Sequence, residues 1–122
     1  MAEVIAGATR VPVPGGKVID EYVGRVNNGE TALSIAHMTA PGGWEEPAQT
    51  PEFDEYTLVL RGCVRVETAS GTHDVSAGQA IVTRAGERIR YSTPTAEGAE
   101  YVAVCRPAFG PDLARRDGDR PL

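Results

Sequence analysis

The stretch PGGWEEPAQTPEFDEYTLVLRG, residues 41–62, carries most of what the sequence says about this chain. An acidic, proline-punctuated loop runs into a segment in which Tyr56, Leu58 and Leu60 fall on one face and Thr57 and Val59 on the other, because side chains alternate along a strand. Both faces are largely apolar. Such a strand is covered by a barrel interior on one side and by a second sheet or another subunit on the other. The segment Tyr101 to Cys105 repeats the arrangement, so both are read as central strands, and a homodimer is expected.

Outward from this stretch, 14 glycines and 9 prolines cut the chain into short segments, none with apolar residues at helical spacing over several turns. Val18 to Val26, Ala32 to Thr39, Tyr56 to Arg61, Val64 to Thr68, Gly71 to Val75, Ala80 to Arg84, Glu87 to Ser92 and Tyr101 to Cys105 are predicted strands. Asn27-Asn28-Gly29, Ala69-Ser70-Gly71, Ala77-Gly78 and Ala85-Gly86 supply the turns. Short strands at this even spacing predict an all-β sandwich or jelly-roll barrel. Past Cys105 the composition changes. Pro107, Phe109 and Pro111 lead to a charged segment, 112–119, with at most one helical turn, and Arg116 to Leu122 is expected to fray. Phe109 is expected to fold back over the barrel end.

With 122 residues, one domain is expected to carry the whole function, with its core over 17–110 and 111–122 peripheral. A net charge of -5 provides no electrostatic footprint for nucleic acid or an anionic membrane. The first ten residues lack a signal-peptide pattern, and no apolar run reaches the ~18 residues of a membrane span, so a cytoplasmic protein is expected. Cys63 and Cys105 are too few for a disulfide framework and read as small buried hydrophobes.

The spacing within the opening stretch resembles the first motif of the cupins: a glycine, five residues, histidine-x-histidine, three or four residues, a glutamate, six residues, a glycine. Gly43, Gln49, Pro51, Glu55 and Gly62 stand at those positions, so the spacing is kept and the histidines are not. The second motif starts at Gly78, with Arg84 in place of its proline, Gly86 retained, and Ile89 in place of the last histidine. The runs 24–27, 44–47, 51–56 and 105–109 are similar to small stand-alone cupins of the ethanolamine-utilisation Q type. The resemblance implies a double-stranded β-helix, the cupin jelly-roll barrel, enclosing a small-molecule pocket. It also implies that Glu55 points inward.

Metal-binding cupins present imidazoles and one carboxylate at the barrel centre, and proline and isoleucine offer no donor atom. No metal and no other cofactor is therefore expected, although a weak site from Glu55, Gln49 and His37 is conceivable. An inward Glu55 without a cation nearby would have its pKa raised by desolvation, partly opposed by a hydrogen bond from Gln49, and would serve as a general acid or base. Tyr91, two residues beyond Ile89, would face the same interior and donate to a substrate oxygen. Gln49 would orient the substrate, and Trp44, Glu46, His37, Thr57 and Ile89 would line its binding site.

Each assignment has a plain structural alternative. Glu55 would pair with Arg61, Arg88 or Arg90; Gln49 would satisfy backbone groups; Tyr91 and Trp44 would be core aromatics; and His37 would be a hydrogen-bonded core or interface residue. Glu45, Glu46, Glu52, Asp54 and Glu55 would be mostly a solvated face. Three functions follow. The first is a metal-independent lyase or isomerase moving a proton on a small organic molecule. The others are a non-catalytic small-molecule-binding module, and a divalent-metal cupin with unorthodox ligands.

Overall fold

Side-chain alternation makes the long segment 54–68 the spine of the molecule. In the computed structural model, which describes residues 1–117, it is one fifteen-residue strand serving two sheets rather than the two strands expected. In chain order the strands are β1 (Thr9–Val11), β2 (Val18–Val23), β3 (Ser34–Ala40), β4 (Trp44–Glu45), β5 (Asp54–Thr68), β6 (Gly71–Ser76), β7 (Ala80–Thr83), β8 (Arg90–Thr93) and β9 (Ala99–Arg106), followed by the single helical turn α1 (Pro111–Ala114). The first half of β5 lies between β9 and β7 in a sheet that continues through β3 and β2 to β1. Its second half lies between β6 and β8, with β4 beyond β8. All pairings are antiparallel, and the two sheets close over one interior as a jelly-roll barrel.

Gly62 is the hinge of β5. Its φ is +77°, and a Cβ there would collide with the Gly98 carbonyl oxygen. Only glycine lets the strand pass so close to the 95–98 turn while it changes sheets. The bend sits next to a register shift against β9 between Val59 and Arg61. A second departure from the expected strands has a similarly local cause. β2 stops at Val23 instead of Val26 because the buried Glu21 carboxylate accepts hydrogen bonds from Val26 N (2.9 Å) and Asn27 N (2.8 Å) and draws the chain into a turn.

Residues 87–89 stay outside β8, joined to the fold by an isolated bridge between Ile89 and Gln49. The expected frayed tail is partly corrected. Arg116 bridges to Gln49, Asp117 N donates to Ala48 O at 2.8 Å, and Glu52 N donates to Leu113 O at 2.8 Å, so 113–117 straps the 48–52 loop. The rest of that expectation, 118–122, lies outside the described residues. No helix among the described residues is long and apolar enough to cross a membrane.

The concave face of the first sheet decides where empty space can exist. In register across it lie Ser34, Cys105, Glu55 and Thr83, and in the next row Glu21, Ala36, Ala103 and Thr57. The small side chains Ser34, Ala36, Ala103 and Cys105 leave room beside Glu55. Farther along the barrel, Val59, Val64, Val66, Ile89, Tyr91 and Tyr101 pack the interior solid. On the convex face, Leu58, Leu60 and Val82 stay 46–47% exposed.

Candidate active site

The gap beside Glu55 is a cavity of about 40 Å³. At roughly 10–15 Å³ per water, it has room for about three waters or a ligand of a few non-hydrogen atoms. The three expected catalytic residues, Glu55, Gln49 and Tyr91, all line it. Glu55 reaches it from β5, Tyr91 from β8, and Gln49 from the 46–52 loop, whose backbone is fixed by reciprocal 2.8 Å hydrogen bonds with Ile89. None of the arginines weighed as partners for Glu55 takes that role. Arg61 donates to Glu97 O, Arg88 to Asp117, and Arg90 to Glu45.

Of the five residues expected to bind substrate, the cavity contains Glu46 alone. His37 is on the convex face, its Nε2 2.7 Å from Glu100 Oε2, because its β3 neighbours Ala36 and Met38 take the inward positions. Ile89 and Trp44 are core residues and not cavity walls: Ile89 is 1% exposed, and the Trp44 ring packs under Gly15 and Lys17. Thr57 points inward one step beyond Glu55 but is covered, 1% exposed. Gln49 is also corrected in one respect. Its amide is directed at Glu46 Oε1, 3.5 Å away, instead of at Glu55.

The larger correction concerns charge. The interior expected to be free of cations contains Lys17, which enters from the loop before β2 and has a 10% exposed side chain. Its ammonium is 4.5 Å from the Trp44 ring centroid, 5.8 Å from that of Tyr101, and 3.9 Å from Glu46 Oε2. Cation–π attraction to two rings and nearby carboxylates hold a charge that burial alone would expel. Burial pulls the Lys17 pKa down, but Tyr101, Glu46 and Glu55 together outweigh it and hold it above the ordinary value. No local pattern marks Lys17 in sequence. Tyr101, Cys105 and Phe109 also line the cavity, and alternation along β9 could have nominated the first two.

Glu55 is raised to about 7, first by burial, with Lys17 pulling down, Glu46 pushing up, and the Thr57 and Tyr91 hydroxyls pulling down. Glu46 is also raised, chiefly by burial, against the pull of Lys17 and Arg116. Burial and then Glu55 push Tyr91 well above the ordinary phenol value, so its hydroxyl, 3.0 Å from Thr83 Oγ1, stays protonated. Burial likewise keeps Cys105 a thiol. The arrangement provides one carboxyl that exchanges a proton near neutral pH, a fixed cation, and a neutral hydroxyl.

No protein-family model matches the chain. A Myxococcus xanthus protein named endoribonuclease YbeY is 38% identical over 111 residues, which cover 91% of this chain and 38% of that protein. The chain thus spans well under half the length of that curated relative. Among solved structures, Bacillus subtilis oxalate decarboxylase superposes with a TM-score of 0.78 at 19% identity, over 94% of this chain and 31% of that one. Clostridium difficile EutQ gives 0.64 at 20% identity, over 75% and 63%. A Streptococcus pyogenes protein of unknown function gives 0.66 at 20% identity, over 79% and 78%.

Oxalate decarboxylase has Mn(II) centres, and the residues here do not fit such an ion. Gln49, Pro51 and Ile89 stand where the cupin motifs place histidines, and no group of three His, Cys, Asp or Glu residues among those described could hold a metal. The ammonium of Lys17 already supplies a positive charge to the cavity. At these identities the likenesses speak for architecture alone, and that architecture is the cupin jelly-roll barrel.

Proposed function

We propose that the chain is a metal-independent enzyme of the lyase or isomerase kind, in which Glu55 moves a proton on a small organic substrate bound in the barrel. The observation that carries this reading is a buried carboxyl, raised to about 7, at the wall of a cavity of about 40 Å³. A general acid–base works best with a pKa near the working pH. When Glu55 takes a proton from a carbon beside a carbonyl, the C–H electron pair flows to the carbonyl oxygen. The Lys17 ammonium and the Tyr91 hydroxyl then meet the developing negative charge. Glu55 returns the proton at another carbon, or a leaving group departs with the electron pair. Gln49 and Glu46 orient the substrate.

The test is a Glu55→Gln variant assayed on candidate small carbonyl substrates. A folded variant is expected to lose turnover by a factor of about 10²–10⁴, along with the pH–rate limb near 7. Full turnover in the variant would remove Glu55 from the mechanism.

One observation favours a second reading, a non-catalytic ligand-binding module. The matched region makes up only 38% of a protein named for another activity, which is the expectation for an accessory domain. In that case ligands bind wild-type and Glu55→Gln protein alike, and no small molecule is turned over.

A further inference from the structure

The Lys17–Glu46 pair is oddly made for an interior ion pair. At 3.9 Å it is longer than a hydrogen bond, and the side-chain hydrogen bond that Glu46 accepts, from the Gln49 amide, is 3.5 Å long. Buried charges are normally held by short, complete hydrogen bonds, because desolvation is otherwise uncompensated. An ammonium has three donors. Here it faces the Trp44 ring, the ring and hydroxyl of Tyr101, a distant carboxylate and an open cavity. Both partners are placed as they would be if something with an oxygen anion came between them.

We propose that Lys17 is a receptor for a small monocarboxylate, and that Glu46 is its resident counter-ion, displaced and protonated when the ligand's carboxylate takes its place. A carboxylate is favoured over a neutral ligand because the cavity is rich in donors: Lys17, the Gln49 amide and the Tyr91 hydroxyl. It is favoured over a dianion because Glu55 and Glu21 line the same space and Arg116 supplies only one further positive charge. The volume limits the ligand to about the size of acetate.

The groups that face the exchange come from every wall. Glu46 meets Lys17 from the β2 side and Arg116 from the C-terminal strap; Lys17 meets Glu55 of β5 and Tyr101 of β9. Tyr101 is raised and stays neutral, and Glu21 is already satisfied by two backbone N–H groups. Glu46 is thus the carboxyl that loses its ion-pair partner Lys17 when a ligand binds and keeps only the pull of Arg116, and its raised pKa makes protonation the inexpensive response. The inference rests on the cavity being the ligand site, as the proposed function does, but not on catalysis by Glu55.

Titration calorimetry with acetate, and with acetamide as its neutral isostere, tests this at pH 6 and pH 8 in buffers of different ionisation enthalpy. Acetate stays ionised across that range. Wild-type protein is expected to bind acetate at least tenfold more tightly than acetamide, to weaken tenfold or more from pH 6 to pH 8, and to take up protons at pH 8. Glu55 also titrates near 7 in the same cavity, so Glu46→Gln is tested in a Glu55→Gln background. Glu55→Gln alone should keep the weakening toward pH 8 and the proton uptake, and the double variant should bind acetate at pH 8 as well as at pH 6, without proton uptake. Lys17→Met should lose acetate binding. If Lys17→Met does not fold, the comparison of Glu55→Gln with the double variant decides alone. Equal binding of acetamide, absence of acetate binding at tens of millimolar, or proton uptake in the double variant equal to that of Glu55→Gln would overturn the proposal. A Glu55→Gln variant that keeps both acetate binding and full turnover would sink the catalytic reading and leave this one standing.

Discussion

Glu55 occupies its position because β5 alternates and because the small side chains across the sheet leave its carboxyl facing a gap. A carboxyl raised in the folded state costs stability once it must ionise. Stability is fully present below the ordinary carboxyl range near 4.5 and is lost as pH rises toward about 7. From that span the loss is about 3 kcal/mol. Glu55→Gln has no such proton to lose, so its stability relative to wild type should improve by about that amount between pH 4.5 and pH 7 in denaturant titrations. A difference independent of pH would contradict the buried carboxyl. Much of this was legible: motif register pointed Glu55 inward, and alternation put Tyr91 beside it. Lys17 was not. It sits 38 residues before Glu55 in a loop, and only tertiary packing brings it into the barrel. Trp44 lies near the site but serves the lysine and not the cavity, and sequence does not show whether an aromatic ring faces a cavity or the lysine above it.

Regular pattern was enough for most strands and failed where the pattern was short. β1 and β4, of three and two residues, are too brief to display a period. The boundaries of β2 and β8 moved because of single contacts, Glu21 with the 26–27 backbone and Gln49 with Ile89. Nor does charge near the end of the chain mean fraying. The strap at 113–117 is held by backbone hydrogen bonds and by the 2.6 Å pairs Arg115–Glu52 and Arg88–Asp117. The motif glycine at 62 has a steric reason, as a left-handed residue against the Gly98 carbonyl. Gly62→Ala is expected to destabilise by 2 kcal/mol or more, since left-handed backbone alone costs about 1–2 kcal/mol. Gly43, also left-handed but with open space around it, should cost less on the same substitution. Thermal melts of the two variants check the ranking, and equal losses would mean that the contact at Gly62 does not matter.

The barrel turns the acidic loop and the apolar strand of one short stretch into two surfaces of opposite use. The inward face holds the charged cavity. The outward face carries Tyr56, Leu58, Leu60 and Val82, with Val102 and Val104 of β9 in register beside them. We propose that a second copy of the chain covers this face. It is apolar at its centre and rimmed by both signs, Arg84 and Arg106 near Asp54 at one end and His37 with Glu100 toward the other. A two-fold axis repeats such a patch against itself. Sedimentation at micromolar concentration should find a dimer that Leu58→Glu converts to a monomer; a monomeric wild type would refute it.

A carboxyl inside the barrel exchanges its proton near neutrality. Carbon-13 NMR of glutamate carboxyls, with Glu55 assigned by its loss in Glu55→Gln, tests it without any knowledge of the substrate. A titration midpoint at about 7 is expected. A midpoint near 4.5, the value of a solvated glutamate, would contradict both the buried site and the acid–base chemistry built on it.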